Sequence, residues 1–179
     1  IDTENDTMVG AVADDTAIYA VYESDSSNTF IFASTTDGGA NWTTSTYFYD
    51  VSGSDMGYQS FMLDGEGRPS LLLRDRTAYN TAAGTVYTTG TMYFVSRNDD
   101  GTWTTSTIGV VNNTWDVDGD DAPYAGMGFY GAKPYMVYYG IDNYLDFAFS
   151  TSTESPFTII VNENIDESNE ISAGSRMSV

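Results

Sequence analysis

A five-residue string occurs twice in this chain: Trp42-Thr43-Thr44-Ser45-Thr46 returns letter for letter as Trp103-Thr104-Thr105-Ser106-Thr107. Self-similarity of this kind restricts the chain to architectures that repeat one supersecondary unit, because each copy must bury the same faces against its neighbours. The likeness extends upstream. Phe32, Tyr93 and Phe147 each lie ten positions before an aromatic residue (Trp42, Trp103, Phe157), and Thr35, Ser96 and Ser150 lie seven before it. An apolar run opened by a turn precedes each: Ala17 to Tyr22, Pro69 to Arg74 and Pro134 to Tyr139. Asp14-Asp15, Gly65-Glu66-Gly67 and Gly131-Ala132 supply the turns, and a proline at a strand's first residue removes only a hydrogen bond at the ladder's end. Farther upstream, Asp55 to Leu63 aligns on Asp121 to Phe129, Asn5 to Ala13 fits the same frame, and Asn169 to Met177 begins it again.

Each unit thus reads as four short strands: one rich in small residues, one apolar, one aromatic and alternating, and one rich in threonine. The units run over 5–54, 55–120 and 121–168, with a partial unit at 169–179. The middle unit carries an insertion, Ala78 to Gly90, expected to form an extended hairpin loop. Helical periodicity is missing throughout, so pattern and turn spacing predict an all-β chain.

Composition narrows the function classes. With 26 Asp plus Glu against 6 Lys plus Arg, the 179 residues carry a formal charge of -20, which repels nucleic acid and denies it the cationic clusters that drive its binding. A hydrophobic content of 41% and an aromatic content of 15% exclude an acidic disordered chain. The lack of Cys and His excludes disulfides, thiolate metal sites and imidazole-based triads. No apolar run approaches the roughly 18 residues of a membrane span, so membrane insertion is not expected. Sequons at Asn5, Asn41 and Asn112, with few lysines, point to an extracellular or cell-surface glycoprotein. No signal peptide opens the chain at Ile1, so a processed segment or a piece of a longer chain is expected.

Thr35-Thr36-Asp37-Gly38-Gly39-Ala40-Asn41-Trp42 fits the pattern Ser/Thr-x-Asp-x-Gly-x-x-Trp. With it the chain resembles the sialidase-type Asp-box (BNR-repeat) β-propeller superfamily. Two degenerate copies follow in frame, Ser96 to Trp103 with Asn98 at the Asp position, and Ser150 to Phe157 without Asp or Gly. The resemblance covers nearly the whole chain. It implies blades of four antiparallel strands, about three blades plus one extra strand, with Thr35, Asp37, Gly39, Trp42, Ser96, Trp103, Ser150 and Phe157 as structural box residues. Turn mechanics supply a reason for the box: Asp accepts backbone N–H bonds, Gly supplies positive φ, and Trp covers the hairpin. Propellers typically close with 4 to 8 blades. Three blades leave apolar faces and an edge uncovered, so a homo-oligomer or the remainder of a larger chain is expected to complete a partial propeller.

Sialidases of this superfamily use an arginine triad, a Tyr nucleophile with a Glu partner, and an acidic acid-base residue. The Arg-Ile-Pro signature is missing here. Arg68 and Arg97 read as solvated rim residues, Arg74 and Arg76 alternate beside Asp75, and Arg176 alone lies on an inner-type strand. No catalytic residue is assigned. Asp55 and Asp121, each followed three positions later by Tyr58 or Tyr124, are either repeated turn caps and packing tyrosines or a glycan platform of stacking rings and hydroxyl-accepting carboxylates. Asp116, Asp118 and Asp120 alternate around Gly119, as in a loop that wraps hard oxygens around Ca²⁺; a solvated acidic turn is the other reading. The expectation is a non-catalytic extracellular or cell-surface propeller module for glycan binding, adhesion or assembly, with a carbohydrate or protein surface as partner. The alternatives are a fragment of a sialidase-like glycoside hydrolase and a self-assembling structural subunit of a surface filament or layer.

Overall fold

The computed structural model describes residues 7–24, 29–45, 55–80, 86–114, 125–139, 145–153 and 157–166. Among these there are strands and no helix. The first sheet holds β1 (Thr7–Ala13), β2 (Ile18–Ser24), β3 (Thr29–Thr35) and β4 (Thr43–Ser45); the second holds β5 (Asp55–Leu63), β6 (Pro69–Asn80), β7 (Val86–Arg97) and β8 (Trp103–Thr114). The third holds β9 (Ala125–Tyr130), β10 (Lys133–Tyr139), β11 (Leu145–Ser150) and β12 (Ile159–Asp166). Within each sheet the strands lie side by side in chain order, every neighbour antiparallel. The partial unit 169–179 lies outside the described residues.

The sequence explains the layering. Leu71, Leu72 and Leu73 are all fully buried. Successive strand residues point to opposite faces, so such a run requires a sheet covered on both sides. The second sheet accordingly lies between the other two. Phe61, Leu71, Leu73 and Val95 pack against Val21, Phe30 and Phe32 of the first sheet. Leu72, Met92, Phe94 and Ile108 pack against Met127, Met136, Tyr138 and Ala148 of the third. Each fully buried Leu, Phe or Met contributes about 1.5–3 kcal/mol relative to exposure, so these two interfaces form the core. β5 lies against both β1 and β9, and β8 lies against β12.

Copies of one unit are also visible in the backbone. β1 and β5 each shift register around one residue, Val9 and Gln59, the fifth position from Asn5 and Asp55 in their units. The turns between first and second strands meet in succession. A Cβ on Gly67 would stand 3.1 Å from Asp14 Oδ2, and one on Gly65 would stand 2.8 Å from the Gly131 carbonyl oxygen. At Gly65 the neighbour is backbone, and only glycine lets those two chains approach so closely.

Two expectations need correction. Ala78 to Gly90 is not simply an extended loop: Thr77, Ala78, Tyr79 and Asn80 pair with Thr89, Thr88, Tyr87 and Val86, lengthening the β6–β7 ladder. Threonine and tyrosine favour a pleated surface, and they prolong pairing here. The residue equivalent to Phe32 and Phe147 is Phe94 rather than Tyr93. Val21 pairs with Phe32, Leu72 with Phe94 and Val137 with Phe147, and Phe32 and Phe94 both face the following sheet. A one-residue register offset exchanges the faces of a strand.

Candidate functional site

The first box is a closed hydrogen-bonded turn at the end of the β3–β4 hairpin. Asp37 Oδ1 accepts the Asn41 backbone N–H at 2.9 Å and the Thr35 hydroxyl at 2.7 Å, while Oδ2 accepts the Asn41 amide at 2.7 Å. Thr35 Oγ1 in turn accepts the Gly39 N–H at 3.1 Å. Gly38 and Gly39 adopt φ of 73° and 96°. The Asn41 backbone N–H, then its side-chain amide, then the Thr35 hydroxyl hold the Asp37 carboxyl well below the usual carboxylate range. Such a group is committed to turn bonds and cannot exchange protons near neutrality. Trp42 is half-buried beside this turn.

The second box closes differently. Asn98 and Thr102 close the turn through the Asn98 N–H and the Thr102 carbonyl at 2.8 Å, and Gly101 at φ 83° donates its N–H to the Asn98 carbonyl. The carboxylate's part passes to Asp100, which accepts the Thr102 N–H at 2.9 Å and the Thr102 hydroxyl at 2.6 Å. Asn98 donates its amide to the Thr102 and Thr104 hydroxyls instead. In the third box the Ser152 N–H donates to Ser150 Oγ at 3.1 Å. Ser96 and Ser150 are both buried.

The box aromatics reach backward across the stack. Trp103 stands edge-on to Phe32 of the first sheet, centroids 5.1 Å apart and rings at 73°. Phe157 stands edge-on to Phe94 of the second sheet at 5.5 Å and 73°. In such a T-shaped pair the positive edge of one ring meets the negative face of the other, a favoured aromatic geometry.

Arg68 and Arg97 have structural partners, against the expectation of solvated rim residues. Arg68 Nε lies 2.8 Å from the buried Asp64 carboxylate, Nη2 lies 3.1 Å from Glu66 and Nη1 lies 3.4 Å from Asp99. Asp64 also accepts the Glu66 and Arg68 N–H groups, so this ion pair builds the β5–β6 turn. The Arg97 guanidinium lies 5.1 Å from the Phe32 ring centre, a cation–π contact between the first two sheets. Arg74 is 1% exposed. Its burial is not legible in the sequence, where Arg74, Asp75 and Arg76 alternate like a surface strand.

The other expected site residues are dispersed. Asp55 opens β5 rather than preceding it and lies opposite Arg76 across the ladder; Tyr58 lies opposite Leu73. Asp121, Tyr124, Asp116, Asp118 and Asp120 lie outside the described residues, as does Asn5. Asn41 is exposed with its amide bonded to Asp37, and Asn112 pairs with Thr89 within the ladder. No cluster of three or more Asp or Glu able to hold a metal ion occurs among the described residues, and they form no helix long and apolar enough to cross a membrane.

One recess was not legible in the residue pattern. On the outer face of the third sheet, Tyr130, Lys133, Pro134, Tyr135, Phe147 and Phe149 line an open cleft of about 420 Å³. Phe147 and Phe149 stack at 5.6 Å and 24°, and Tyr135 flanks Phe147 at 6.4 Å. Tyr130 at its rim is 84% exposed. The signal was present as the alternation Phe147, Phe149 opposite Val137, Tyr135, but alternation alone cannot tell which of two faces a neighbour covers. The cleft offers apolar ring faces, the Lys133 ammonium and the hydroxyl-bearing side chains of Tyr130, Tyr135 and Ser150; its described lining contains no carboxylate pair. Against known families and curated proteins, the chain matches no family model and no curated sequence.

Proposed function

We propose that this chain is a non-catalytic extracellular or cell-surface module, consisting of blades of an Asp-box β-propeller, that works through its sheet faces in glycan binding, adhesion or assembly. The observation that carries this reading is the aromatic cleft at Tyr135, Phe147 and Phe149, open among the described residues. Half-buried Tyr135, Phe147 and Phe149 with exposed Tyr130 make a ring-lined recess, the kind of concave, mostly apolar place that binding sites use. The succession of three stacked meanders, with the first-to-second-strand turns touching in order, supports the propeller arrangement. The structural commitments of Arg68, Arg97 and Asp37 support a reading without chemistry.

A glycan array combined with a fluorogenic sialoside assay tests the proposal on the purified chain. Saturable binding to a glycan or protein surface without turnover is expected. Turnover by this chain would overturn it in favour of a glycoside hydrolase.

A further inference from the structure

Each box aromatic of the second and third sheets lies on a phenylalanine of the preceding sheet, Trp103 on Phe32 and Phe157 on Phe94, with the rings at 73° in both. Two members of this series lack a counterpart within the described residues. Trp42, the box aromatic of the first sheet, stacks on no described ring. Phe147, which pairs with Val137 as Phe32 pairs with Val21 and Phe94 with Leu72, is covered by no box aromatic. It stands instead in the open cleft of the third sheet. One end of the stack offers the indole, and the other offers its socket.

We infer that Phe147 and its neighbours Tyr135 and Phe149 receive Trp42 from a second copy of this chain, so that chains join head to tail by the contact that already joins their sheets. The inference rests on reading the chain as an assembly module and names its partner. The contact is made at the box end of the first sheet, where Thr36, Asp37, Gly38, Ala40 and Asn41 around Trp42 are exposed. Tyr22 and Ala33, in the strands of that sheet, are already buried. Lys133 at the socket's rim meets the acidic box turn with opposite charge. The interface is heterologous, so it closes a ring or continues as a filament according to the rotation between copies. Two chains of charge -20 repel each other at long range while the contact itself is apolar, so added salt strengthens the association.

Complementary variants test this. Sedimentation velocity and native mass spectrometry are run at low and high salt on the full chain, on Phe147→Asp, on Trp42→Ser and on an equimolar mixture of the two variants. The wild-type chain is expected to grow by whole chains of 19.5 kDa as salt rises. Each variant alone loses association by about 30-fold or more in Kd, the size of a buried aromatic hot spot. The mixture stops at one heterodimer, because each variant keeps one intact end. Near-UV circular dichroism and melting on the same samples identify any variant that has not folded, and Phe147→Ser and Trp42→Leu then take its place. A wild-type chain that stays monomeric at every salt concentration overturns the inference. So does Phe147→Asp that associates like wild type, or a mixture of folded variants that remains monomeric. Glycan binding to the monomer that Phe147→Asp abolishes would also overturn it, giving the socket to a sugar while leaving the non-catalytic reading intact. Sialoside turnover would sink that broader reading and not this contact.

Discussion

Trp103 of the second sheet stands edge-on to Phe32 of the first at 5.1 Å, and Arg97, its partner across the β7–β8 ladder, holds its guanidinium 5.1 Å from the same Phe32 ring. One phenylalanine thus takes an indole and a cation from a single hairpin end. This joins the repeated turn motif to inter-sheet packing, so the box stabilises the stack as well as its own hairpin.

Removing a box aromatic should therefore cost more than a hairpin's worth of stability. Phe157→Ala, which empties a site 5% exposed, is expected to destabilise by about 3–5 kcal/mol. Trp42→Ala, at a half-buried position with no described ring partner, should cost clearly less in the monomer. Urea unfolding of dilute samples measures both. Equal losses would detach the box aromatics from the stacking.

The turn carboxylates give stability a pH dependence of fixed sign. Asp37 is depressed by the Asn41 backbone N–H, the Asn41 amide and the Thr35 hydroxyl; Asp14 and Asp100 are depressed first by the hydroxyls of Thr16 and Thr102 and then by their backbone N–H groups. A carboxyl lowered on folding stabilises fully above its unfolded value, about 3.9, and loses that contribution as pH falls through its folded value. Acid also relieves the repulsion of a -20 chain, so the informative quantity is a difference. The melting temperature of Asp37→Asn should lie below wild type near neutral pH and approach it in strong acid. A gap that widens on acidification would reverse the assigned sign.

Gly65→Ala probes the meeting of the turns. The new Cβ would stand 2.8 Å from the Gly131 carbonyl oxygen, a backbone atom, and the forced shift should cost about 1–3 kcal/mol. Gly38→Ala meets nothing within 4 Å and carries only the strain of φ 73°, about 1–2 kcal/mol. Adding Gly131→Ala to each variant separates the two causes, with coupling expected for Gly65 and none for Gly38. Additive behaviour in both pairs would mean that the second and third sheets do not meet at their turns.

Arg74 should behave as a buried charge whose loss is costly. Arg74→Ala is expected to cost about 3–5 kcal/mol and Arg74→Met markedly less, because methionine refills the volume although it leaves polar neighbours behind. Denaturant midpoints of the two variants decide this. A neutral Arg74→Ala would place the guanidinium in solvent.

Much of the architecture could be read from recurrence. The repeated Trp-Thr-Thr-Ser-Thr string, the turn residues at Asp14, Gly65 and Gly131, and the apolar runs after them mark strands that all form, in sheets that begin and end within the expected units. What escaped was register and facing. The β3–β4 pairing begins at Ser34 with Thr43, whereas β7–β8 pairs as far as Arg97 with Trp103. Similar box sequences therefore close turns of different length, and Phe94 takes the position that spacing gave to Tyr93. The partners of Arg68 and Arg97 were hidden for a related reason. Asp64 approaches Arg68 by a turn's local geometry, and Phe32 reaches Arg97 only once two sheets are stacked. The cleft at Phe147 was invisible because an uncovered face and a covered one have the same alternation.

The most direct test of the stacked-unit account is a double-mutant cycle between Phe32 and Trp103, read by equilibrium urea unfolding of Phe32→Ala, Trp103→Ala and the double variant. The account predicts a favourable coupling of about 0.5–1.5 kcal/mol, matched by the equivalent cycle between Phe94 and Phe157. Purely additive losses in both cycles would contradict it, because rings that do not couple cannot join successive sheets.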